Sequence, residues 1–395
     1  MNRPGKGELA KYWSLNPDTV FLNHGSFGAT PTSILDEQTK IRSRIEEDPV
    51  RFFERDYTPL MKESRESLAE FLNAEVNGMT FVKNATEGVN TVLRSIELKA
   101  GDEVIVPNHS YQACWNAVDF VTERSGAKTV VVEIPFRLES EEEIIDLILD
   151  KVTDRTVLAL IDTVTSPTGL RMPFEKLVSE LQEKGVDVLL DAAHGPGIVP
   201  LDLAALDVAY CTGNCHKWIC TPKGSAFLHI REDRKSRVRP LVIGHGASLE
   251  GTEQERFEFE FGWPGTQDPS PWLCIPKAID HIGKMVDGGW PEIIRLNRDL
   301  VLRGREVICE ALGTKPPVPE SMVASIASVE MPGGEVGAMT MEGDPFHNFL
   351  LDEYGIQVPV FPWMHHGVRY IRISAQLYNH FDEYLFLAEA LRKGN

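Results

Sequence analysis

The sequence is poor in basic residues and has no long apolar run. Its 40 Lys and Arg residues stand against 59 Asp and Glu residues, which gives a net charge of −19. Nucleic acids and anionic membranes bind cationic patches, so this balance argues against both as partners, and an acidic small substrate would need local arginines. No stretch approaches the length that spans a bilayer, and the first residues lack the apolar core of a signal peptide. We therefore expect a cytoplasmic protein.

Cysteine is also scarce, with six residues in a chain of 395. Cys211, Cys215 and Cys220 cluster, but no pair has the Cys-x-x-Cys spacing, so we expect neither zinc nor a disulfide framework. We predict reduced, partly buried thiols. The apolar fraction of 42% and the charged fraction of 25% are ordinary for a globular protein and exclude disorder, collagen and coiled coil.

Short β-rich runs alternate with helical stretches from about residue 82 to residue 230. This alternation predicts βαβ units and an α/β fold with a mainly parallel sheet. A breaker-rich junction over 263–271 precedes an apolar run at helical spacing, 273–285, which predicts a long helix. We expect an N-terminal arm over 1–20, a large domain over 21–269, and a linking helix with a small α+β domain over 270–395. The predicted strands include 104–106, 129–132, 157–161, 186–190, 208–210 and 226–230.

The most informative motif is a lysine in Thr212-Gly-Asn-Cys-His-Lys217-Trp, which follows an apolar run over 207–211, with Asp191-Ala-Ala-His194 upstream of it. Pyridoxal phosphate requires an amine for a Schiff base, a carboxylate against its pyridine nitrogen and a dry phosphate site. Asp191 follows a short apolar run, which places it at the C-terminal end of a strand, where open α/β sheets bind ligands. Taken singly, such a lysine is usually a surface residue and such an aspartate a helix cap, but together they favour the coenzyme site.

We predict that Asp191 holds the pyridine nitrogen protonated, so that the ring accepts electrons from the substrate Cα. Lys217 is the predicted Schiff-base residue and, once displaced by the substrate amine, the base for the Cα proton. Burial beside a cation lowers the pKa of a lysine enough for both tasks.

The segments around Asp191 and Lys217 resemble class V aminotransferase-fold enzymes, specifically the isopenicillin N epimerase-like branch. That branch includes cysteine desulfhydrases and cysteine-conjugate sulfoxide lyases. The resemblance extends from Phe21-Leu-Asn-His-Gly-Ser-Phe-Gly28 to Arg369-Tyr-Ile-Arg-Ile-Ser374. It implies the fold type I of pyridoxal 5′-phosphate enzymes, that cofactor, and a homodimer.

Asn84-Ala-Thr-Glu-Gly88 lies between a predicted strand and a predicted helix, where backbone N–H groups bind anions. Thr86 alone would more often be a helix N-cap, and the two roles are compatible. Asn214 and His216 could instead be structural hydrogen-bonding residues. The resemblance implies the phosphate ligands Ala85, Thr86, Asn214 and His216, with Gly265 and Thr266 reaching the phosphate from a second subunit, so that the active site would exist only in a dimer.

Three further residues are candidates for contact with the pyridine ring. Tyr111 matches the aromatic or imidazole group that stacks on the ring in the family, although core packing would also explain it, and His109 competes for the role. Ser166 matches the position that approaches the ring hydroxyl, and turn chemistry explains it equally well. His194 could bind the same oxygen or carry protons.

The carboxylate of an amino-acid substrate favours recognition by arginine. Arg372 matches the carboxylate clamp of the family. Arg369 lies on the same short strand, and we expect it on the same face as a competing candidate. His24 and the arginines Arg51 and Arg55 are further candidates to line the substrate mouth, although surface salt bridges are the more ordinary role of these two arginines.

We predict an enzyme that forms an external aldimine with an amino acid and labilises its Cα proton. A C–S β-lyase giving pyruvate and ammonia requires one base, whereas an epimerase requires a second acid opposite Lys217, such as Tyr111 or a histidine. Desulfuration through a persulfide requires a loop cysteine, and residues 313–343 contain none. We favour the lyase over the epimerase; transamination stays open, and intact Asp191, His194 and Lys217 argue against a non-catalytic protein.

Overall fold

The computed structural model describes residues 3–333, 344–363 and 368–394. The strands are β1 (Val20–Phe21), β2 (Met79–Val82), β3 (Glu103–Pro107), β4 (Lys128–Val132), β5 (Thr156–Asp162), β6 (Asp187–Ala192), β7 (Tyr210–Asn214), β8 (Ala226–Ile230), β9 (Ile326–Met331), β10 (Ile356–Gln357), β11 (Val360–Trp363) and β12 (Val368–Ser374). The helices are α1 (His24–Phe27), α2 (Thr32–Glu47), α3 (Pro49–Arg51), α4 (Tyr57–Phe71), α5 (Ala85–Ser95), α6 (Gln112–Ser125), α7 (Glu141–Leu149), α8 (Phe174–Glu183), α9 (Leu203–Leu206), α10 (Glu253–Gly262), α11 (Ser270–Leu273), α12 (Ile275–Gly283), α13 (Gly289–Leu312), α14 (Pro345–Tyr354) and α15 (Phe381–Gly394).

Seven strands form the main sheet, in the order β2-β8-β7-β6-β5-β3-β4. The strands from β3 to β7 are parallel to one another, and β8 runs antiparallel to β2 and β7 on either side of it. Leu158 and Leu160 pack into the apolar core on one face, whereas Ala159 and Ile161 pack into the core on the other. Burial of both faces is typical of parallel sheets, so the predicted α/β architecture is confirmed.

A second, antiparallel sheet of three strands, β11-β12-β9, lies in the C-terminal part of the chain. The helices α13 and α15 pack together beside it and share its apolar core. This agrees with the predicted small α+β region, while the domain boundaries themselves stay a prediction. β1 pairs in parallel with β10, which joins the N-terminal segment to this C-terminal part.

Two local predictions have different bounds in the structure. The helix predicted over 273–285 is α12, over 275–283, which is shorter and has a proline in its first turn, where proline is accepted. The long helix is instead α13, with 24 residues. The predicted strand over 208–210 begins later and continues to Asn214, because residues 210–214 all pair with β8.

Within the described ranges, no helix is long and apolar enough to cross a membrane. All six cysteines are buried with free thiols. No group of three His, Cys, Asp or Glu side chains in the same ranges could hold a metal ion.

Candidate functional site

The candidate site lies at the C-terminal ends of β5, β6 and β7. Asp162 and Asp191 are register partners at the ends of β5 and β6, and Asn214 ends β7 three residues before Lys217. Parallel strands bring these ends to one edge of the sheet. Local β-structure therefore places the predicted lysine and aspartate together.

The amine of Lys217 lies 2.9 Å from Nε2 of His194, and the side chain is almost completely buried. Burial and, to a smaller extent, the nearby Arg372 lower the pKa of Lys217 to about 7, against the opposing effect of Asp191. A substantial neutral fraction at neutral pH lets the amine act as a nucleophile or a base.

Both carboxylate oxygens of Asp191 are held in place. Oδ1 accepts a hydrogen bond from the N–H of Ala193 at 2.9 Å, and Oδ2 accepts one from the thiol of Cys114 at 3.3 Å. The neighbouring Asp162 accepts a hydrogen bond from Ser110 at 2.8 Å. Burial raises the pKa of Asp191, and burial together with the charge of Asp191 raises the pKa of Asp162 well above its usual value. A cationic ring nitrogen against Asp191 would offset this crowding of buried carboxyl groups.

His24 does not line a substrate mouth, contrary to the prediction. Its ring is completely buried, Nε2 donates to the backbone carbonyl of Lys217 at 2.9 Å, and Nδ1 lies 2.9 Å from the hydroxyl of Tyr378. Gly28 follows with φ +70, and a Cβ there would approach the carbonyl oxygen of His216 to 2.3 Å. The segment 23–28 thus packs against the backbone of His216 and Lys217 and supports the lysine loop.

The start of α5 forms the phosphate end of the candidate site. Asn84 is the N-cap residue, accepting from the N–H of Glu87 at 2.9 Å, so Thr86 lies inside the first turn. Asn214 ties this turn to β7, because its Oδ1 accepts from the N–H of Ala85 at 2.8 Å. The backbone N–H of Thr86 and its hydroxyl are thus the remaining groups predicted to reach a phosphate at this helix end.

Gly88 allows α5 to approach β7 closely. A Cβ at this position would lie 2.1 Å from Oγ1 of Thr212. The contact brings the N-terminal turn of α5 toward the strand that leads to Lys217. A helix N-terminus, a buried lysine and a buried aspartate at one sheet edge are the groups that pyridoxal phosphate requires, so the described residues fit this cofactor.

The ring of His216 is held by a hydrogen bond to a backbone carbonyl. Nδ1 donates to the carbonyl of Ser225 at 2.9 Å, and burial lowers the pKa of the ring to about 4. In the neutral ring, Nε2 is therefore an acceptor. The sequence predicts that His216 is a phosphate ligand. A hydrogen bond from Nε2 to the phosphate would require the protonated ring, which the phosphate charge itself would favour.

Tyr111 precedes α6 and is 44% exposed, so its ring is available to a ligand. Its neighbours anchor the loop: Ser110 bonds Asp162, and the buried His109 contacts Thr168 at 2.8 Å and the carbonyl of Ile134 at 3.1 Å. These contacts hold the ring of His109 against protein groups. Tyr111 remains the better candidate for contact with the pyridine ring.

Arg372 is buried beside Ser166 and the N-terminal segment. It donates to the backbone carbonyl of Ser166 and to Oγ of Ser26 at 3.0 Å, and its NH2 lies 3.4 Å from the side chain of Asn23. Burial lowers the pKa of its guanidinium to about 10, which leaves it charged at neutral pH. The backbone carbonyl of Ser166 therefore helps to position Arg372. A contact between the hydroxyl of Ser166 and the coenzyme stays a prediction.

Arg369 does not share the face of Arg372. The two residues are three positions apart on β12, and side chains alternate between the faces of a strand. Arg369 forms a two-pronged ion pair with Asp344, at 2.9 and 2.6 Å. The prediction that it could compete for the substrate is therefore wrong.

The remaining predicted residues lie in two surface regions. Arg51, on α3, and Arg55 are exposed, and no hydrogen bond within the described ranges joins either side chain to the lysine loop. Gly265 and Thr266 line a cleft of about 650 Å³ together with Lys83, which precedes α5, and Glu87, which lies in the first turn of α5. No atom lies within 4 Å of a Cβ added at Gly265, but its φ of +134 is a backbone conformation that residues with a side chain rarely adopt.

Sequence reasoning did not identify several residues of the site. Trp218 donates from its indole nitrogen to Nδ1 of His194 at 3.2 Å. Its position directly after Lys217 in the sequence could have identified it as a site residue. Asp162 opens the turn segment that was expected to face the crevice. Cys114 gave no local signal, because its contact with Asp191 spans 77 positions.

Comparisons with known proteins agree with this geometry. The family model described as aminotransferase class-V matches residues 32–358. The chain is 31% identical to an isopenicillin N epimerase of Amycolatopsis lactamdurans, over 96% of each sequence. It is also 31% identical to a probable chloroplastic L-cysteine desulfhydrase of Arabidopsis thaliana, over 95% of this chain and 83% of the relative.

The structure of an apo cysteine desulfurase from Thermococcus onnurineus NA1 superposes with a TM-score of 0.81 at 20% identity, over 100% of this chain and 99% of that one. This likeness supports the predicted fold. The resemblance to the isopenicillin N epimerase and cysteine desulfhydrase branch is confirmed, and with it pyridoxal 5′-phosphate as the cofactor. The chain belongs to the class V aminotransferase family.

Proposed function

We propose that the protein is a C–S β-lyase that converts cysteine, or a cysteine S-conjugate, to pyruvate, ammonia and a sulfur fragment. The observation that carries the proposal is the buried amine of Lys217, which has a pKa of about 7, lies 2.9 Å from Nε2 of His194 and interacts electrostatically with Arg372 and Asp191. Elimination requires one base at Cα, and this amine supplies it. The relative named as a cysteine desulfhydrase supports the sulfur-containing substrate class.

Three residues carry out the steps of this reaction. When bound, the cofactor withdraws electrons from the substrate Cα. Asp191 keeps the pyridine nitrogen protonated, and Arg372 holds the substrate carboxylate. Nζ of Lys217 takes the Cα proton, and the Cβ–S bond breaks with its electrons leaving on sulfur. Water then hydrolyses the carbon–nitrogen bond and releases ammonia. In sum, cysteine and one water give pyruvate, ammonia and hydrogen sulfide.

An epimerase is the second candidate, because one of the relatives carries that name. It would return a proton to the opposite face of Cα from a second acid. His194 uses both ring nitrogens, in bonds to Lys217 and Trp218, and His24 uses both in bonds to Lys217 and Tyr378. Tyr111 is exposed, whereas His194 and His24 are buried, so Tyr111 is the remaining candidate for the second acid.

Other outcomes have less support. Transamination would need a second amino-group acceptor, and a coenzyme-binding protein without catalysis would not need the depressed pKa of Lys217. Persulfide chemistry lacks its cysteine between residues 313 and 343, of which 334–343 lie outside the described residues.

We also propose that two copies of the chain complete the site, with Thr266 of each reaching the phosphate of the other. The half-exposed apolar side chains of Val242 and Leu249 line the same cleft as Thr266 and would be covered by a second copy. Sedimentation of the holoenzyme at assay concentration tests this, and a monomer with full activity would contradict it. A cytoplasmic location also stays a prediction, since one relative is named as chloroplastic.

The deciding experiment incubates the holoenzyme with L-amino acids and cysteine S-conjugates in deuterated water. Pyruvate and Cα deuteration are measured together. A lyase gives pyruvate with release of the sulfur fragment, and Tyr111→Phe retains elimination. Deuterated amino acid of the opposite configuration without pyruvate, abolished by Tyr111→Phe, would overturn the lyase in favour of the epimerase. Tyr12→Phe, at an exposed tyrosine of the N-terminal segment, is the matched control.

A further inference from the structure

Trp218, His194 and Lys217 form a chain of side-chain contacts through the floor of the site. The indole N–H of Trp218 donates to Nδ1 of His194 at 3.2 Å, and Nε2 of His194 lies 2.9 Å from Nζ of Lys217. Trp218 and His194 are each 1% exposed. Water is therefore excluded from both imidazole nitrogens.

The direction of the first contact determines the direction of the second. An indole N–H can only donate, so Nδ1 of His194 is the acceptor and the single proton of the neutral ring is on Nε2. An N–H at Nε2 must donate to Lys217, and an amine accepts a hydrogen bond only in its uncharged form. We propose that Trp218 is a positioning residue that fixes the tautomer of His194 and so makes His194 a hydrogen-bond donor to Nζ of Lys217.

Removal of the indole N–H would free His194 to carry its proton on Nδ1. Nε2 would then accept a hydrogen bond from the ammonium form of Lys217, and the pKa of the lysine would rise. The other groups that act on this amine are the guanidinium of Arg372, the carboxyl groups of Asp191 and Asp162 and the thiol of Cys114. The rings of His24 and His216 also interact with it. Trp218→Phe removes none of these groups.

The inference rests on the proposed function only in taking Lys217 as the coenzyme-binding residue. A purely structural role for Trp218 is the competing explanation, because its ring also lies 4.7 Å from that of His24. Trp218→Phe keeps an aromatic ring and removes the N–H. Trp272→Phe is the matched control, since Trp272 is 4% exposed and donates to the carbonyl of Val82 at 3.0 Å.

The test uses the full-length protein freed of coenzyme. Trace acylation with an amine-reactive reagent, followed across pH by mass spectrometry of the Lys217 peptide, gives the pKa of this lysine. A hydrogen bond to a charged group shifts a pKa by about one unit or more, so Trp218→Phe should lower the neutral fraction of Lys217, and with it the reactivity at pH 7, about fivefold or more. Trp272→Phe should leave it unchanged. An unchanged pKa in Trp218→Phe would overturn the inference.

A second measurement needs no folded variant at position 218. In the wild-type protein labelled with [15N]histidine, His194 should show a protonated Nε2 and an unprotonated Nδ1, and His194→Gln assigns its signals. The opposite tautomer refutes the inference. If borohydride instead labels another lysine, the proposed function fails, while the tautomer of His194 is still decided by this spectrum.

Discussion

Arg372 and Arg369 offer a matched test of substrate binding, because they lie three positions apart on β12 with different partners. Arg372 is buried beside Ser166, Ser26 and Asn23, next to the site, whereas Arg369 is paired with Asp344. The same conservative change, arginine to lysine, can be made at both positions. Lysine retains the charge and loses the planar fork that binds a carboxylate through two hydrogen bonds.

We expect Arg372→Lys to weaken the binding of an amino acid about 10- to 100-fold, since a hydrogen bond to a charged group contributes about 1.5–3 kcal/mol. Arg369→Lys should change that affinity less than about twofold. It should instead lower stability by about 1–2 kcal/mol, because Asp344 is only 11% exposed and loses its two-pronged partner.

Glycine is a suitable ligand for this assay, since it has a carboxylate but no Cβ from which sulfur could leave. Its affinity is measured from the visible absorbance of the coenzyme-bound protein, and stability from thermal unfolding of the same samples. Equal losses of affinity in the two lysine variants, or a larger loss at Arg369, would refute the assignment of Arg372.

Two further predictions concern the coenzyme site. Borohydride should abolish the visible absorbance of the holoenzyme and attach the reduced coenzyme to Lys217, and a mass spectrum with this lysine unmodified would reject its proposed role. Gly88→Ala should lower the thermal unfolding midpoint by several degrees, because its Cβ would meet Oγ1 of Thr212, which is itself bonded to the carbonyl of Phe227, and overpacking costs about 1–3 kcal/mol. Gly262→Ala, with open space around its added Cβ, is the control, and an equally stable Gly88→Ala would show that α5 can move away from β7.

The sequence predicted those parts of the structure that depend on neighbouring residues. The strands β3, β4 and β8 were recognised from short apolar runs, and Asp191 and Lys217 from the segments that follow two such runs. The start of α5 carried its own capping residue, Asn84, beside the predicted phosphate ligands. Local backbone preference and burial act on these segments directly, so their signals are present in the sequence.

Contacts between distant segments were harder to predict. His24 meets the carbonyl of Lys217 across 193 positions, and Cys114 meets Asp191 across 77. No local pattern encodes such pairs, because they depend on how β-strands and helices are stacked. The placement of Arg369 was an error of a different kind, since the three-residue spacing to Arg372 already implies opposite faces of a strand.

The pairing of β1 with β10 has a consequence for the order in which the protein matures. Asn23 and Arg372 are 349 positions apart. The segment 23–28, which supports the lysine loop, therefore cannot make this contact until almost the whole chain has left the ribosome. The main sheet, complete by Ile230, can form earlier in synthesis. The lysine loop therefore gains its full support only at the end of translation, and a product that stops before β12 would have the cofactor's lysine without the structure that holds it in place.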